Sequence, residues 1–237
     1  MMINRPIIAL DFQNRAQTTD FLQLFPQDEQ LFVKVGMELF YSEGTRFVEE
    51  LIDQGHDIFL DLKCHDIPNT VRQTMTSLSR LGISLTTVHA AGGVEMMKYA
   101  LDGLDQGNSS IKMPKIIAIT QLTSTSQEQL ETEQLVERPL IESVVNYAKL
   151  TELAGLAGVV CSAQEAKMIK EATSKNFLAV TPGIRLEGQA VSDQKRVMTP
   201  AAAKRNQSSA IVVGRSITQA TDPFAAYQAI KKMWEEA

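Results

Sequence analysis

Cysteine is scarce in this chain of 237 residues: only Cys64 and Cys161 occur, far apart and with no Cys-x-x-Cys spacing. Neither a disulfide framework nor a zinc site is signalled, and both thiols read as small buried hydrophobes. Histidine is nearly as rare, and His56, His65 and His89 show no H-E-x-x-H or comparable ligand spacing. No Lys/Arg run interleaved with aromatics is present and the net charge is −5, which argues against a non-specific nucleic-acid binder. No stretch approaches the roughly 18 apolar residues that cross a membrane, and the N-terminus has no secretory signal pattern, so a cytoplasmic protein is expected. Glycine motifs for nucleotides are missing too. Ala9-Leu10-Asp11-Phe12 stands where a dinucleotide fingerprint would follow the first strand, and no P-loop sequence occurs.

What the chain does have is repetition. Eight short β-rich apolar runs alternate with amphipathic stretches: Pro6 to Asp11, Leu31 to Gly36, Asp57 to Lys63, Ser84 to His89, Lys115 to Thr120, Leu156 to Cys161, Phe177 to Thr181 and Ala210 to Gly214. Between them, Thr45 to Gln54 and Thr70 to Leu81 carry apolar residues at helical period. Asn69 and Ser162 are plausible helix caps, and Gly55, Gly82, Gly155 and Gly188 mark stops or turns. A C-terminal helix from Asp222 to Glu236 puts Phe224, Tyr227, Ile230 and Trp234 on one face. With no Pro/Gly/Ser-rich linker, the pattern predicts an α/β fold, a single (β/α)8 barrel spanning 1–237, over a doubly wound open sheet. The stretch from Gln121 to Arg138 is polar and unpatterned. In a barrel it is a long loop on the active-site face, and so a candidate lid.

Strand interiors should be apolar, yet Asp11, Lys34, Asp61 and Lys63 fall at the ends of the first three strands, with Asp66 three residues further on. Residues two apart leave the same face of a strand, and at the C-terminal end of a barrel strand that face points into the mouth. An array of Lys34, Asp61, Lys63 and Asp66, with Asp11 nearby, can keep each member charged because opposite neighbours offset desolvation. It would position a protonated lysine as an acid. Two simpler readings remain: a structural ion pair of Asp61 with Lys63, and a divalent-cation site at Asp61 and Asp66, against which the two lysines weigh. His65 and His89 either line the pocket or are satisfied structural histidines.

The seventh and eighth strands end in Thr181-Pro182-Gly183-Ile184-Arg185 and Val213-Gly214-Arg215-Ser216, a Gly and an Arg after each. Barrel enzymes often hold phosphate between these two loops; glycine admits backbone N–H groups to an anion, and Arg offers a bidentate donor. A phosphorylated ligand is the favoured reading, with Gln194 an additional neutral donor.

These residues carry a resemblance. The block DLKCHDIPNT at 61–70 is similar to the signature of the bacterial-type orotidine 5′-phosphate decarboxylase family. Around it, in order, stand ALD (9–11), KVGMELF (34–40), HAAGG (89–93), QLTS (121–124), GVVCS (158–162), TPGIR (181–185), DQKRVMTP (193–200) and VVGRSIT (212–218). Cys64 takes a position that family commonly fills with a larger apolar residue. The resemblance implies decarboxylation of orotidine 5′-phosphate to UMP at the end of pyrimidine synthesis, without metal or organic cofactor. It implies Lys63 as proton donor, Asp61 beside the substrate carboxylate, and Lys34 and Asp11 on the ribose hydroxyls. Thr123, with Ser124 beside it, would hold the pyrimidine, and Arg185, Gln194, Gly214 and Arg215 the phosphate. Asp66, Ile67 and Thr70 would serve the neighbouring subunit's pocket, so a homodimer is implied, with no nucleic-acid or membrane partner. The nearest competitors are barrel enzymes acting on sugar phosphates, which share D-x-K-x-x-D on the third strand, and a catalytically dead nucleotide-binding barrel.

Overall fold

The computed structural model describes residues 5–107, 113–186 and 197–237. Its first half runs β1 (Ile7–Ala9), α1 (Arg15–Leu22), β2 (Phe32–Gly36), α2 (Met37–Asp53), β3 (Asp57–Cys64), α3 (Pro68–Leu78), β4 (Leu85–His89) and α4 (Gly93–Gly107). The second half runs β5 (Lys115–Ile119), α5 (Gln127–Thr132), α6 (Leu140–Leu153), β6 (Gly158–Val160), α7 (Ala166–Ala172), β7 (Leu178–Thr181), α8 (Pro200–Arg205), β8 (Ala210–Val213), α9 (Arg215–Thr218) and α10 (Pro223–Glu235). Every strand pairs in parallel with the next, and β1 pairs β8 through Ile7↔Val212 and Ile8↔Val213, closing a TIM barrel. No described helix is long and apolar enough to cross a membrane.

Alternation along each strand separates two cores. Ile7, Ala9, Phe32, Phe59, Leu85, Ile117, Leu178, Val180, Ala210 and Val212 pack together inside the barrel. Their sequence neighbours, such as Ile8, Val33, Ile58 and Ile211, pack outward against the helices. The same period has a consequence at the mouth. One step of two beyond Phe32, Phe59 and Leu85 come Lys34, Asp61 and Thr87, so the interior changes from apolar to polar towards the C-terminal end of β2, β3 and β4.

Several element boundaries differ from the sequence expectation. α2 starts at Met37 rather than Thr45; its first half carries little buried apolar surface, and it is separated from the predicted helix by a break at Gly44, where φ is 73°. Asn69 is not the cap of α3, because Ile67 is the N-cap and Pro68 occupies the first turn, where proline's missing N–H costs nothing. Asn69 Oδ1 instead accepts from Arg72 Nη2 at 2.5 Å. α7 begins at Ala166, not Ala163; Ser162 N–H is taken by the Glu165 carboxylate at 2.7 Å. Gly188 lies outside the described residues. The 121–138 segment is not a bare loop. It contains α5, capped by Ser126 and anchored by the fully buried Leu130.

Candidate active site

Two ion pairs stand at the mouth of the barrel. Lys34 Nζ lies 2.9 Å from Asp11 Oδ1, joining the ends of β2 and β1. Lys63 Nζ lies 2.9 Å from Asp61 Oδ2 on β3. Asp61 is 8% exposed, so its charge must be compensated. Besides the ammonium, it accepts the Thr87 hydroxyl at Oδ1, 2.9 Å away. Sequence spacing placed Asp61 and Lys63 on one strand face by simple alternation, but the structure brings them together differently. β3 and β4 lose their common register between Leu60 and Cys64, and Lys63 adopts a left-handed backbone with φ of 51°. Such a conformation in a non-glycine residue costs on the order of 1–3 kcal/mol and persists only where the surroundings impose it.

A second feature adjoins the Asp11–Lys34 pair. A cleft of about 380 Å³ is lined by Asp11, Lys34, Gly183, Arg185, Gly214 and Arg215 among others. The residues singled out after β7 and β8 therefore share one cavity with Asp11, just after β1, and Lys34, within β2. The loop after β7 turns at Gly183, with φ of 80°, and is tied back by Arg185 N–H to Met198 O and Met198 N–H to Gly183 O, both at 3.1 Å. Arg185 is buried and donates from Nη1 to Ile184 O at 2.9 Å. Gly214 links β8 directly to the short α9, which begins at Arg215. Cations thus gather in a recess of a chain that is acidic as a whole.

The sequence matches the profile of the orotidine 5′-phosphate decarboxylase / HUMPS family over residues 4–230. The chain belongs to that family. It is 57% identical to the orotidine 5′-phosphate decarboxylase of Ligilactobacillus salivarius, with all of both chains covered, and 58% identical to that of Enterococcus faecalis over 99% of this chain and 100% of the other. The crystal structure of orotidine 5′-phosphate decarboxylase from Lactobacillus acidophilus superposes with a TM-score of 0.89 at 47% identity, covering 98% of this chain and 100% of that one.

Against the family's expected site, the described residues divide into those that meet and those that do not. The array of Lys34, Asp61, Lys63 and Asp66, with Asp11 nearby, shows two pairs within this chain, Asp11–Lys34 and Asp61–Lys63, with Asp66 outside both. Among the described residues Asp66 has no cation within ion-pair distance; its Oδ1 accepts the Ile67 N–H at 2.6 Å. Asp66, Ile67 and Thr70 are all exposed, Ile67 by 67%, in the loop and first turn of α3. Thr123 is half-buried after β5, next to Gln121, whose amide donates to Gln134 Oε1 at 3.1 Å and Ser143 Oγ at 3.2 Å. Gln194 lies outside the described residues.

The two histidines that the sequence left open stack face to face beside the Lys63 end of the mouth, ring centroids 5.5 Å apart. His89 Nδ1 accepts the Ala91 N–H at 3.2 Å, and burial, then His65, then Lys63 hold its pKa below the ordinary value. It is therefore a neutral acceptor. Burial, more than Asp61, pushes the Cys64 thiol up to about 11, so it stays protonated despite adjoining Lys63. Sequence reasoning missed Thr87. Its only signal was a hydroxyl at an inward position of LTTVH, one alternation above Leu85.

Proposed function

We propose that Lys63 is the proton donor in the reaction of this chain, the decarboxylation of orotidine 5′-phosphate to UMP and CO2 in pyrimidine biosynthesis. The activity follows from full-length relatives at 56–58% identity that bear that name. The observation that carries the residue-level reading is the Asp61–Lys63 pair at 2.9 Å in the mouth of the barrel.

Loss of CO2 from an sp2 ring carbon leaves electrons with no resonance sink, so the barrier must fall by stabilising developing negative charge in place. Family resemblance implies that no metal or organic cofactor takes part. A fixed ammonium beside the ring carbon is such a stabiliser, and it then delivers its proton to the carbon that has lost CO2. Asp61 holds the ammonium and lies beside the departing carboxylate. Enzymes lower barriers by up to about 20 kcal/mol for slow reactions, whereas one preorganised donor contributes roughly 3–4 kcal/mol. Binding far from the ring must supply much of the rest. The cleft of Arg185, Gly214 and Arg215 suits a dianionic phosphate, with Gln194 as a further donor, and the Asp11–Lys34 pair suits the ribose hydroxyls between phosphate and base. Thr123 is assigned to the pyrimidine.

The exposed Asp66, Ile67 and Thr70 complete the site of a second copy in this reading. The working enzyme is then a homodimer with two shared sites, acting in the cytoplasm with neither nucleic acid nor membrane as partner.

The test is the ultraviolet change as orotidine 5′-phosphate is consumed. The wild-type chain turns it over, and Lys63→Ala loses nearly all kcat while still binding UMP. Near-normal kcat in that variant removes Lys63 from the role. A chain inert to this substrate but active on a sugar phosphate would overturn the whole reading.

A further inference from the structure

β3 and β4 run in register at Phe59↔Leu85 and Leu60↔Thr86, with Asp61 and Thr87 next along the two strands. The next recorded pair is Cys64↔Val88, so three residues of β3, Asp61 to Lys63, stand against Thr87 alone, and Lys63 among them takes a left-handed backbone. Thr87 stitches both sides of this irregularity. Its Oγ1 accepts the Lys63 N–H at 2.8 Å and donates to Asp61 Oδ1 at 2.9 Å. The side chain is wholly buried.

The direction of these bonds follows from the donor inventory. A backbone N–H can only donate and an ionised carboxylate only accept, so the single hydroxyl proton must point at Asp61. Lys63 Nζ then occupies the other carboxylate oxygen, Oδ2. Backbone N–H, hydroxyl, carboxylate and ammonium form a closed circuit that begins and ends on Lys63. Packing alone does not call for threonine here. The layer beneath is Phe59 and Leu85, and valine is likewise β-branched and favoured in strands.

We propose that Thr87 is a positioning residue for the decarboxylation: its hydroxyl fixes the Asp61 carboxylate and holds the turn that aims the Lys63 ammonium. The proposal rests on the reading of Lys63 as proton donor. Thr87 acts through Asp61 and Lys63, so its loss touches the chemical step and leaves phosphate binding alone. Removing it strands a part-buried N–H and frees a carboxylate that must stay within about half an ångström of its place.

Thr87→Val, Thr87→Ser and Lys63→Ala, compared with wild type, test this. Displacement of a reacting group by about 1 Å costs roughly a hundredfold, so Thr87→Val should lose about that much kcat, with KM and UMP affinity changed less than about threefold. Thr87→Ser, which keeps the hydroxyl, should recover to within about tenfold of wild type. Wild-type kcat in Thr87→Val overturns the proposal, as does a Ser variant no better than Val, or a loss of UMP affinity that matches the loss of kcat. If Thr87→Val does not fold, Thr87→Ala is read by the same criteria, and a Ser variant with little turnover is decisive against the idea. Activity in Lys63→Ala would defeat the underlying reading; an inert Lys63→Ala beside an unimpaired Thr87→Val defeats only the role of Thr87.

Discussion

Charge at individual residues is managed here by pairing and by burial, and the two have different consequences. Lys34 and Lys63 are held by Asp11 and Asp61 at the mouth, whereas Arg185 and Arg215 line the cleft after β7 and β8. If the cleft takes the phosphate, Arg215→Ala should raise KM for orotidine 5′-phosphate by roughly ten- to a hundredfold, the loss of one charge-assisted contact, with a smaller effect on kcat. Steady-state kinetics decide this, and an unchanged KM removes Arg215 from phosphate binding. His56 shows the other regime. Its Nδ1 accepts the Leu31 N–H at 3.3 Å, and burial, reinforced by Arg5, holds its pKa below the ordinary 6.5. The folded state therefore binds fewer protons than the unfolded chain below pH 6.5. That part of the stability is fully present above 6.5 and is lost as the solution is acidified through the folded pKa. Thermal melts from pH 7 to pH 5 should show Tm falling, with a shallower fall in His56→Asn; equal slopes would mean that other groups carry the acid sensitivity.

Among the elements, β3 carries the Asp61–Lys63 pair, and α3 follows directly after the loop that holds Asp66. β3 departs from its neighbour's register just where its two charged residues meet, and Asp66 and Ile67 lead into α3, whose first turn holds Thr70. The placement of α3 depends on close contact with α4. A Cβ on Gly103 would lie 2.1 Å from Arg72 O, and one on Gly107 2.2 Å from Thr76 O, so the helices approach to backbone contact. Thr76 Oγ1 also donates to Gly103 O at 3.0 Å. Gly103→Ala should destabilise the fold by about 1–3 kcal/mol, the usual cost of overpacking, and displace the start of α3. An unaltered urea midpoint would show that the helices can part freely. Periodicity identified α3 and the second half of α2 because their apolar stripes are regular. It missed α5, whose six residues bury only Leu130 and whose surroundings are held by amide pairs such as Gln121 with Gln134, contacts that leave no repeat in the sequence.

For the whole molecule, the closed barrel brings the ends of β7 and β8 beside those of β1 and β2, although nearly the full chain separates them. This reconciles a net charge of −5 with an anionic substrate, since cations collect in one recess while the excess carboxylates lie elsewhere. The exposed Asp66, Ile67 and Thr70 belong to this scale as well, because in the proposed function they serve a second copy of the chain. If the proposed homodimer shares its sites, mixing inactive Lys63→Ala with inactive Asp66→Asn should restore turnover, since a hybrid dimer would contain one site with both native groups. No recovery after verified subunit exchange would place both residues in one chain's site. The sequence by itself determined the barrel, through eight apolar runs with helical segments between them, and nominated the charged strand ends and the paired Gly/Arg loops. Those are local or periodic signals. Only the tertiary structure decided that, of the five charged residues at these strand ends, four form two pairs with Asp66 apart, that Lys63 reaches Asp61 through a register shift and a left-handed turn, and that Thr87 ties the two together. Each depends on the neighbouring strand supplying a partner, and strand pairing between residues about 25 positions apart is not encoded in any local pattern.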